Sequence, residues 1–286
     1  MTHKPHELTR EDIEKVISTV DIPACPSIVA EAMTEAQKDE PDIDRLTQII
    51  TSDAGMSASA IKLANSALYS RGGPVPSLRK AIERLGTKNI VCVVIASELR
   101  ASFKGVPDAW LEDFWRMAMQ TAVISSAIAK KQYGVSPDAA FTYALFHDAA
   151  IPIMVKRFAN YLDMVEQCRH SGEMLISAEE NLFPCTHPIV GSLLVKNWGL
   201  PPILGLAIRF HHENDAYQLS DKILPGSALS FIAVTNIAER LRCEVKGDVD
   251  LEVGDELFRS AVEHLGLSSD DLDELRIMVD AIVRES

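Results

Sequence analysis

Apolar positions recur at three- and four-residue intervals along nearly the whole chain, the spacing that places side chains on one helix face. Thr9-Arg-Glu-Asp12 reads as a capping box that opens a short helix with Ile13, Val16, Ile17 and Val20 inside. Pro23 and Pro26 end it. Helices are predicted next over Ile28–Ala36, Asp42–Thr51 and Gly55–Leu68, followed by a loop at Arg71-Gly-Gly-Pro-Val-Pro76. Ser77–Leu85 and Thr87–Phe103 read as two helices divided at Gly86. Ile90–Ile95 has the β-branched composition of a buried strand, but it lacks a strand partner and its flanks are helical. A helix is therefore the expectation there too.

Gly105-Val-Pro107 is the candidate boundary. After it comes a long predicted helix over Asp108–Tyr133, stopped by Gly134, and another from Ser136-Pro137 toward His147. Further helices are expected at about 150–171, 173–182, 187–198, 201–213, 225–244, 252–265 and 269–284. Ser268-Ser-Asp-Asp271 caps the last, whose apolar side is Leu272, Leu275, Val279 and Ile282. No unit of 20–50 residues repeats, which excludes a solenoid. The expected architecture is all-α and two-lobed: an N-terminal helical lobe at 1–105, a second lobe at 106–247, and acidic C-terminal helices at 248–286.

Charge sharpens this division. The 286 residues carry 41 Asp and Glu against 28 Lys and Arg, a net −13 that argues against nucleic acid or an anionic membrane as partner. Residues 248–286 hold 12 of the carboxylates and 3 arginines, so most of the excess lies in the C-terminal helices. That segment is a candidate docking surface, with a solvated helix face as the simpler reading. The five cysteines, at 25, 92, 168, 185 and 243, form no C-x-x-C pair and read as reduced thiols. No apolar run is long enough to span a bilayer, and Met1–Leu8 lacks the apolar core of a signal peptide. A bacterial-type, cytoplasmic protein without membrane insertion is expected.

The chemistry-bearing candidates are histidines. His3, His6, His170 and His264 sit in polar or terminal contexts and read as surface residues. His147 and Asp148 close the apolar run Ala139–Phe146; His187 precedes Pro188 at a helix start; His211 and His212 close Ile203–Phe210. Imidazoles and a carboxylate converging from helix ends would suit Mn, Fe or Zn, and such a metal activates water for phosphoester cleavage. The plainer reading is hydrogen bonding that pins helix junctions: His147 with Asp148, and His187 with His211 or His212.

Phe141-Thr-Tyr-Ala-Leu-Phe-His-Asp148 resembles the hallmark stretch of the HD superfamily of metal-dependent phosphohydrolases. The run Glu180…His187…Gly191…Leu194…Trp198-Gly-Leu-Pro201…His211-His212 resembles the HDOD branch, the HD-related output domains. Ile22-Pro-Ala-Cys-Pro26, Ile49-Ile-Thr-Ser-Asp53, Lys62-Leu-Ala-Asn-Ser66…Tyr69 and Ala81-Ile-Glu-Arg-Leu-Gly86 are similar to that family's N-terminal half. The resemblance covers about residues 20–245. It implies an all-helical HD-domain-like fold and a regulatory role more often than a catalytic one. It also implies that Met117 stands where an HD phosphohydrolase has its first His, and Glu239 where it has its late Asp. A thioether is a poor ligand for a hard metal. The glycine expected soon after His-Asp is missing from Asp148-Ala-Ala-Ile-Pro. The expectation is thus a degenerate core of His147, Asp148, His187, His211, His212 and Glu239, with no catalytic residue and no cofactor. Any metal would fall to His147, Asp148 and Glu239.

Other classes find little support. There is no G-x-S-x-G and no glycine-rich nucleotide loop. Cys185, two residues before His187, reads as an inert thiol. Arg71, Arg79, Lys80, Arg84 and Lys88 form a mildly basic stretch whose default is a solvated face. Lys62, Asn65, Ser66 and Tyr69 are spaced to share one helix face. They either tie down the following loop or form a partner- or ligand-binding face. Trp115 and Trp198 are expected in the core. The function expected is signal transduction by binding a protein partner or a nucleotide second messenger, without catalysis. The alternatives are a metal-dependent phosphohydrolase, such as a cyclic-dinucleotide phosphodiesterase, and a pure scaffold.

Overall fold

The structure is a computed structural model that describes Glu14, Val16, residues 18–66, Tyr69 and residues 73–285. The capping box at Thr9–Asp12 and most of the helix it opens lie outside the described residues. The described elements are helical throughout. They begin with α1 Ser27–Ala36, α2 Ile43–Thr51, α3 Ala54–Ala64 and α4 Leu78–Ser102. The second half holds α5 Asp108–Ala129, α6 Pro137–Phe146, α7 Ile151–Arg157, α8 Tyr161–Ser171, α9 Leu175–Leu182, α10 His187–Asn197, α11 Pro202–Phe210 and α12 Gly226–Lys246. The acidic C-terminal segment forms α13 Gly254–Leu265 and α14 Ser269–Glu285.

Local chemistry starts these helices where the sequence places it. Asp42 accepts the backbone N–H groups of Asp44 and Arg45, and Asp53 accepts that of Met56. Within α4, Gly86 adopts φ 80°, ψ 161°, so the helix is broken there into the two predicted pieces. Ile90–Ile95 is helical and buried on every side, because both halves of the protein pack around it. Three predicted bounds change. The helix from Gly55 stops at Ala64 rather than Leu68, and the helix from Asp108 stops at Ala129 rather than Tyr133. The single helix expected at 150–171 is two, α7 and α8, because Phe158 turns to an extended conformation between them.

Two long helices make the interior of the second half. Residues 120–129 of α5 and most of α12 are buried on all sides. Ser125 donates to Thr235 Oγ1 at 3.3 Å where they meet. α6 packs on α5 and α12, and α11 on α12. α10 approaches α11 closely at Gly191, where a Cβ would lie 3.0 Å from Ile208 Cγ2 and 3.6 Å from the carbonyl oxygen of His147. Glycine there lets the start of α10, the end of α11 and the end of α6 come together.

One apolar core runs without a break from Val16 to Ile282. The acidic helices share in it: Leu275, Val279 and Ile282 of α14 are buried, each contributing about 1.5–3 kcal/mol of apolar burial. Ser268 and Asp271 form the predicted cap of α14. Trp115 and Trp198 are core residues, and Trp198 donates its ring N–H to Pro23 O at 2.7 Å. Among the described residues, no helix is long and apolar enough to cross a membrane.

Candidate metal centre

The four expected histidines and two expected carboxylates come together in one buried cluster. The ends of α6, α10 and α11 and the middle of α12 deliver them. His147 and Asp148 follow directly on α6, His187 opens α10, His211 and His212 follow α11, and Glu239 lies within α12. Helix ends suit this task because their last turns leave carbonyl oxygens without intrahelical partners. His147 donates its Nδ1–H to Ala144 O at 2.8 Å, and His211 donates its Nδ1–H to Ile208 O at 2.6 Å. A carbonyl only accepts, so the Nε2 of each ring faces the cluster, as a bare lone pair on a neutral ring and as a donor to the carboxylates on a protonated one.

His187 is oriented by Glu179, a residue of α9. Glu179 Oε2 accepts both the backbone N–H and the Nδ1–H of His187, each at 2.8 Å. Tyr161 of α8 donates its hydroxyl to the other carboxylate oxygen of Glu179. The side chains of His187 and Glu179 are wholly buried. The pairing fixes the tautomer of His187 and sends its Nε2 inward, the outer-sphere arrangement found around metal-ligating histidines.

Asp148 is the hub. Its Oδ2 lies 3.1 Å from His147 Nε2, and Glu239 Oε1 lies 3.4 Å from that same nitrogen. Its Oδ1 lies 3.4 Å from His211 Nε2 and 3.5 Å from His187 Nε2. His187 Nε2 is 3.4 Å from His211 Nε2 and 3.0 Å from His212 Nε2. Asp148 thus belongs to two donor groups, one with His187, His211 and His212, the other with His147 and Glu239. The six residues expected as one core come together, and the plainer reading of two separate hydrogen-bonded pairs does not describe them.

Hydrogen bonding among these groups is incomplete. His147 Nε2, Asp148 Oδ1 and His212 Nδ1 are fully covered without a well-formed hydrogen bond. Two lone pairs facing each other at 3.4 Å, as in His187 and His211, are repulsive without a cation or a shared proton between them. Electrostatics follows from the same crowding. Burial opposes charge on His147, but Asp148 and Glu239 outweigh it and raise its pKa well above the ordinary imidazole value. Burial likewise opposes charge on His187, and Glu179 outweighs it. Burial lowers His211 and, together with its imidazole neighbours, holds His212 well below the ordinary value. Burial raises Asp148, but His147 and then its other imidazole neighbours bring it well below the ordinary carboxylate range. Imidazoles and carboxylates with covered, under-bonded donor atoms fit a divalent metal of borderline character.

Other expected residues fall elsewhere. Met117 is half-buried on α5, and no residue of α5 enters either donor group. Glu180 is exposed; its neighbour Glu179 is the residue that works. Lys62, Asn65, Ser66 and Tyr69 do not share a helix face, because α3 ends at Ala64. Asn65 clamps the loop instead, accepting the N–H of Val75 at 2.7 Å and donating to its carbonyl at 3.1 Å. Ser66 donates to Leu63 O at 2.8 Å, and Asn89 donates to the Tyr69 hydroxyl at 3.3 Å. In the basic stretch, Arg79 and Lys80 pair with Glu83, and Arg84 donates to Gly73 O at 2.9 Å. The five cysteines form no disulfide, and Cys185 is buried. His170 and His264 are exposed, while His3 and His6 lie outside the described residues.

Sequence reasoning missed Glu179, Tyr161 and Glu252. Glu179 had a signal: with Leu175 and Ala178 it occupies the buried i, i+3, i+4 face of α9, where a carboxylate needs a partner.

Comparison with known proteins agrees with the helical architecture. No curated protein matches the chain in sequence. Among solved structures, an HDOD domain protein of unknown function from Geobacter sulfurreducens is 22% identical. It is matched over 95% of this chain and 97% of its own, with a TM-score of 0.68. A candidate phosphohydrolase from Shewanella amazonensis SB2B is 20% identical over 99% of this chain and 100% of its own, TM-score 0.69. A candidate signal transduction protein from Marinobacter aquaeolei VT8 is 20% identical over 98% of this chain and 65% of its own, TM-score 0.71. The HDOD domain itself is matched over residues 22–214, and the chain belongs to the HDOD domain family.

Proposed function

We propose that this HDOD protein is a signal-transduction domain whose folded state is set by a bound divalent metal, and that it acts by presenting that state to a protein partner. The observation that carries the reading is the convergence on Asp148 of three imidazole Nε2 atoms. All three rings, His147, His187 and His211, have their opposite N–H tied back to a carboxylate or a carbonyl. Side chains held in this way lose little freedom on binding a cation. The reading goes beyond the remnant that Met117 implies, because the second donor group of three histidines does not depend on position 117.

A regulatory rather than catalytic use is supported by burial. His147, His187 and His211 have relative exposures of 3%, 0% and 3%. A substrate phosphate would have to displace protein from around them.

A second reading, phosphoester hydrolysis, is favoured by the position of Asp148 between two donor groups, as in two-metal sites. A bound divalent metal would supply Lewis-acid polarisation of a phosphoryl oxygen. Asp148 and Glu239 would then neutralise its charge, and His147 would stay aimed at both by its bond to Ala144 O.

The test is elemental analysis of protein purified without added metal, followed by incubation of Mn-, Fe- and Zn-loaded samples with phosphomonoesters and phosphodiesters. Stoichiometric metal without turnover is the expected result. Turnover would establish the second reading, and failure to take up any of the three metals would remove both.

A further inference from the structure

The cluster is closed on one side by a residue from outside the matched domain. Glu252 lies between α12 and α13, in the acidic segment beyond residue 214 where the family match ends. Its Oε2 sits 3.0 Å from His212 Nε2 and 4.0 Å from His187 Nε2. That oxygen is covered and makes no well-formed hydrogen bond. It therefore approaches the same three-histidine group as Asp148 Oδ1, from another side of the fold.

The surrounding loop is built to aim it. Asp250 Oδ1 accepts the backbone N–H groups of Glu252 at 3.1 Å and Val253 at 2.9 Å, and its Oδ2 accepts that of Gly254 at 3.0 Å. Arg240 of α12 holds Asp250 through Nη1–H to Oδ2 at 3.2 Å. Leu251 O accepts the N–H of Leu175, the first residue of α9, at 2.9 Å. Leu251 and Val253 are both buried. The segment is thus fixed on each side of Glu252, and the carboxylate between them has little freedom to leave. Such a turn spends several backbone bonds on placing one carboxylate beside His212 and His187.

We propose that Glu252 is a further metal ligand, contributed by the C-terminal segment, that takes the place an exogenous anionic oxygen ligand such as phosphate would otherwise fill. The proposal rests on the metal-binding reading of the Asp148 cluster. It makes the acidic helices part of the site: metal binding and docking of residues 248–265 stabilise each other, because coupling between two events is reciprocal. It also explains how a site with phosphohydrolase-like donors can be closed to phosphate, since a tethered carboxylate competes at high effective concentration.

The test compares full-length wild type with Glu252→Gln and, as a control in the same segment, Glu256→Gln at an exposed position. Glu252→Gln keeps the size of the side chain, and thermal melts of the metal-free proteins establish that it folds. Mn and Zn affinities are measured by titration, binding of inorganic phosphate to the loaded proteins by calorimetry, and protection of residues 248–265 by hydrogen exchange with and without metal. Glu252→Gln is expected to weaken metal binding about tenfold or more, at least the loss seen for outer partners of metal ligands. It should admit phosphate that the loaded wild type excludes, and abolish the metal-dependent protection. Glu256→Gln should match wild type in all three. Wild type that binds metal while Glu252→Gln binds it equally well, with protection unchanged by metal, would overturn the proposal and leave the Asp148 reading standing. Wild type that takes up no metal would overturn both.

Discussion

Two polar clusters sit in this apolar helical protein, and their polar atoms have opposite fates. At the end of α3, Asn65 spends both ends of its amide on Val75, Ser66 donates to Leu63 O, and Arg84 reaches across to Gly73 O. Each group there has a local partner, so the cluster does what side-chain hydrogen bonds commonly do and fixes a loop. Around Asp148 the outward ring nitrogens of His147, His187 and His211 are satisfied, while the inward ones face carboxylates or one another. Leaving a buried polar atom unpaired costs about 1–3 kcal/mol. Several such atoms in one place, with their supporting bonds intact, support the proposal of a ligand site there. Spacing along the sequence does not separate the two cases; the pairing of the polar atoms does.

Substitutions should separate the clusters in the same way. The largest effect is expected from Asp148→Ala, which removes the oxygen donors common to both groups; metal affinity should fall about 100-fold or more, beyond the range for outer partners. Titration with Mn or Zn, alongside a melt to show folding, checks this. Glu179→Gln should act through His187 alone and weaken metal binding about 10–100-fold in the same titration. In the other cluster, Asn65→Ala should lower stability by about 1–3 kcal/mol in denaturant unfolding, because two backbone groups of Val75 lose their partner. Its metal content should not change, and a change would erase the contrast between the clusters. Lys62→Ala, at an exposed position, should lie within about 0.5 kcal/mol of wild type and leave metal uptake intact.

Much of the architecture was legible because helical periodicity and capping are local. Gly86, Ser268 and Asp271 act where the sequence places them. The end of α3 was not legible: the apolar pattern continues to Leu68, but the amide of Asn65 turns to Val75, ten residues on. Phe158 likewise sits in a continuous pattern but turns extended, with its ring stacked on Phe183 at a centroid distance of 4.5 Å, a contact from a distant element that the pattern does not show. In the site, His147, Asp148, His187, His211, His212 and Glu239 were named from residue type and resemblance. The sharing of Asp148 between two donor groups was not, since it depends on the packing of α10 against α11 at Gly191. Glu179 and Glu252 act through contacts between separate elements, and no short-range spacing announces them.

The acidity of the C-terminal helices also takes on a structural meaning. Part of it is spent on ion pairs back to the domain, such as Arg240 with Asp250 and Asp255, and Lys131 with Glu274. The exposed pairs with Asp255 and Glu274 contribute about 0–1 kcal/mol each, so the apolar side of α14 holds it more firmly than those charges do.

The most direct measurement is a crystal structure with anomalous diffraction data collected at the Mn, Fe and Zn edges on crystals grown with each metal. An anomalous peak enclosed by Asp148, His187, His211 and His212 is expected. Crystals that show no peak beside these residues with any of the three metals would contradict the metal-binding reading.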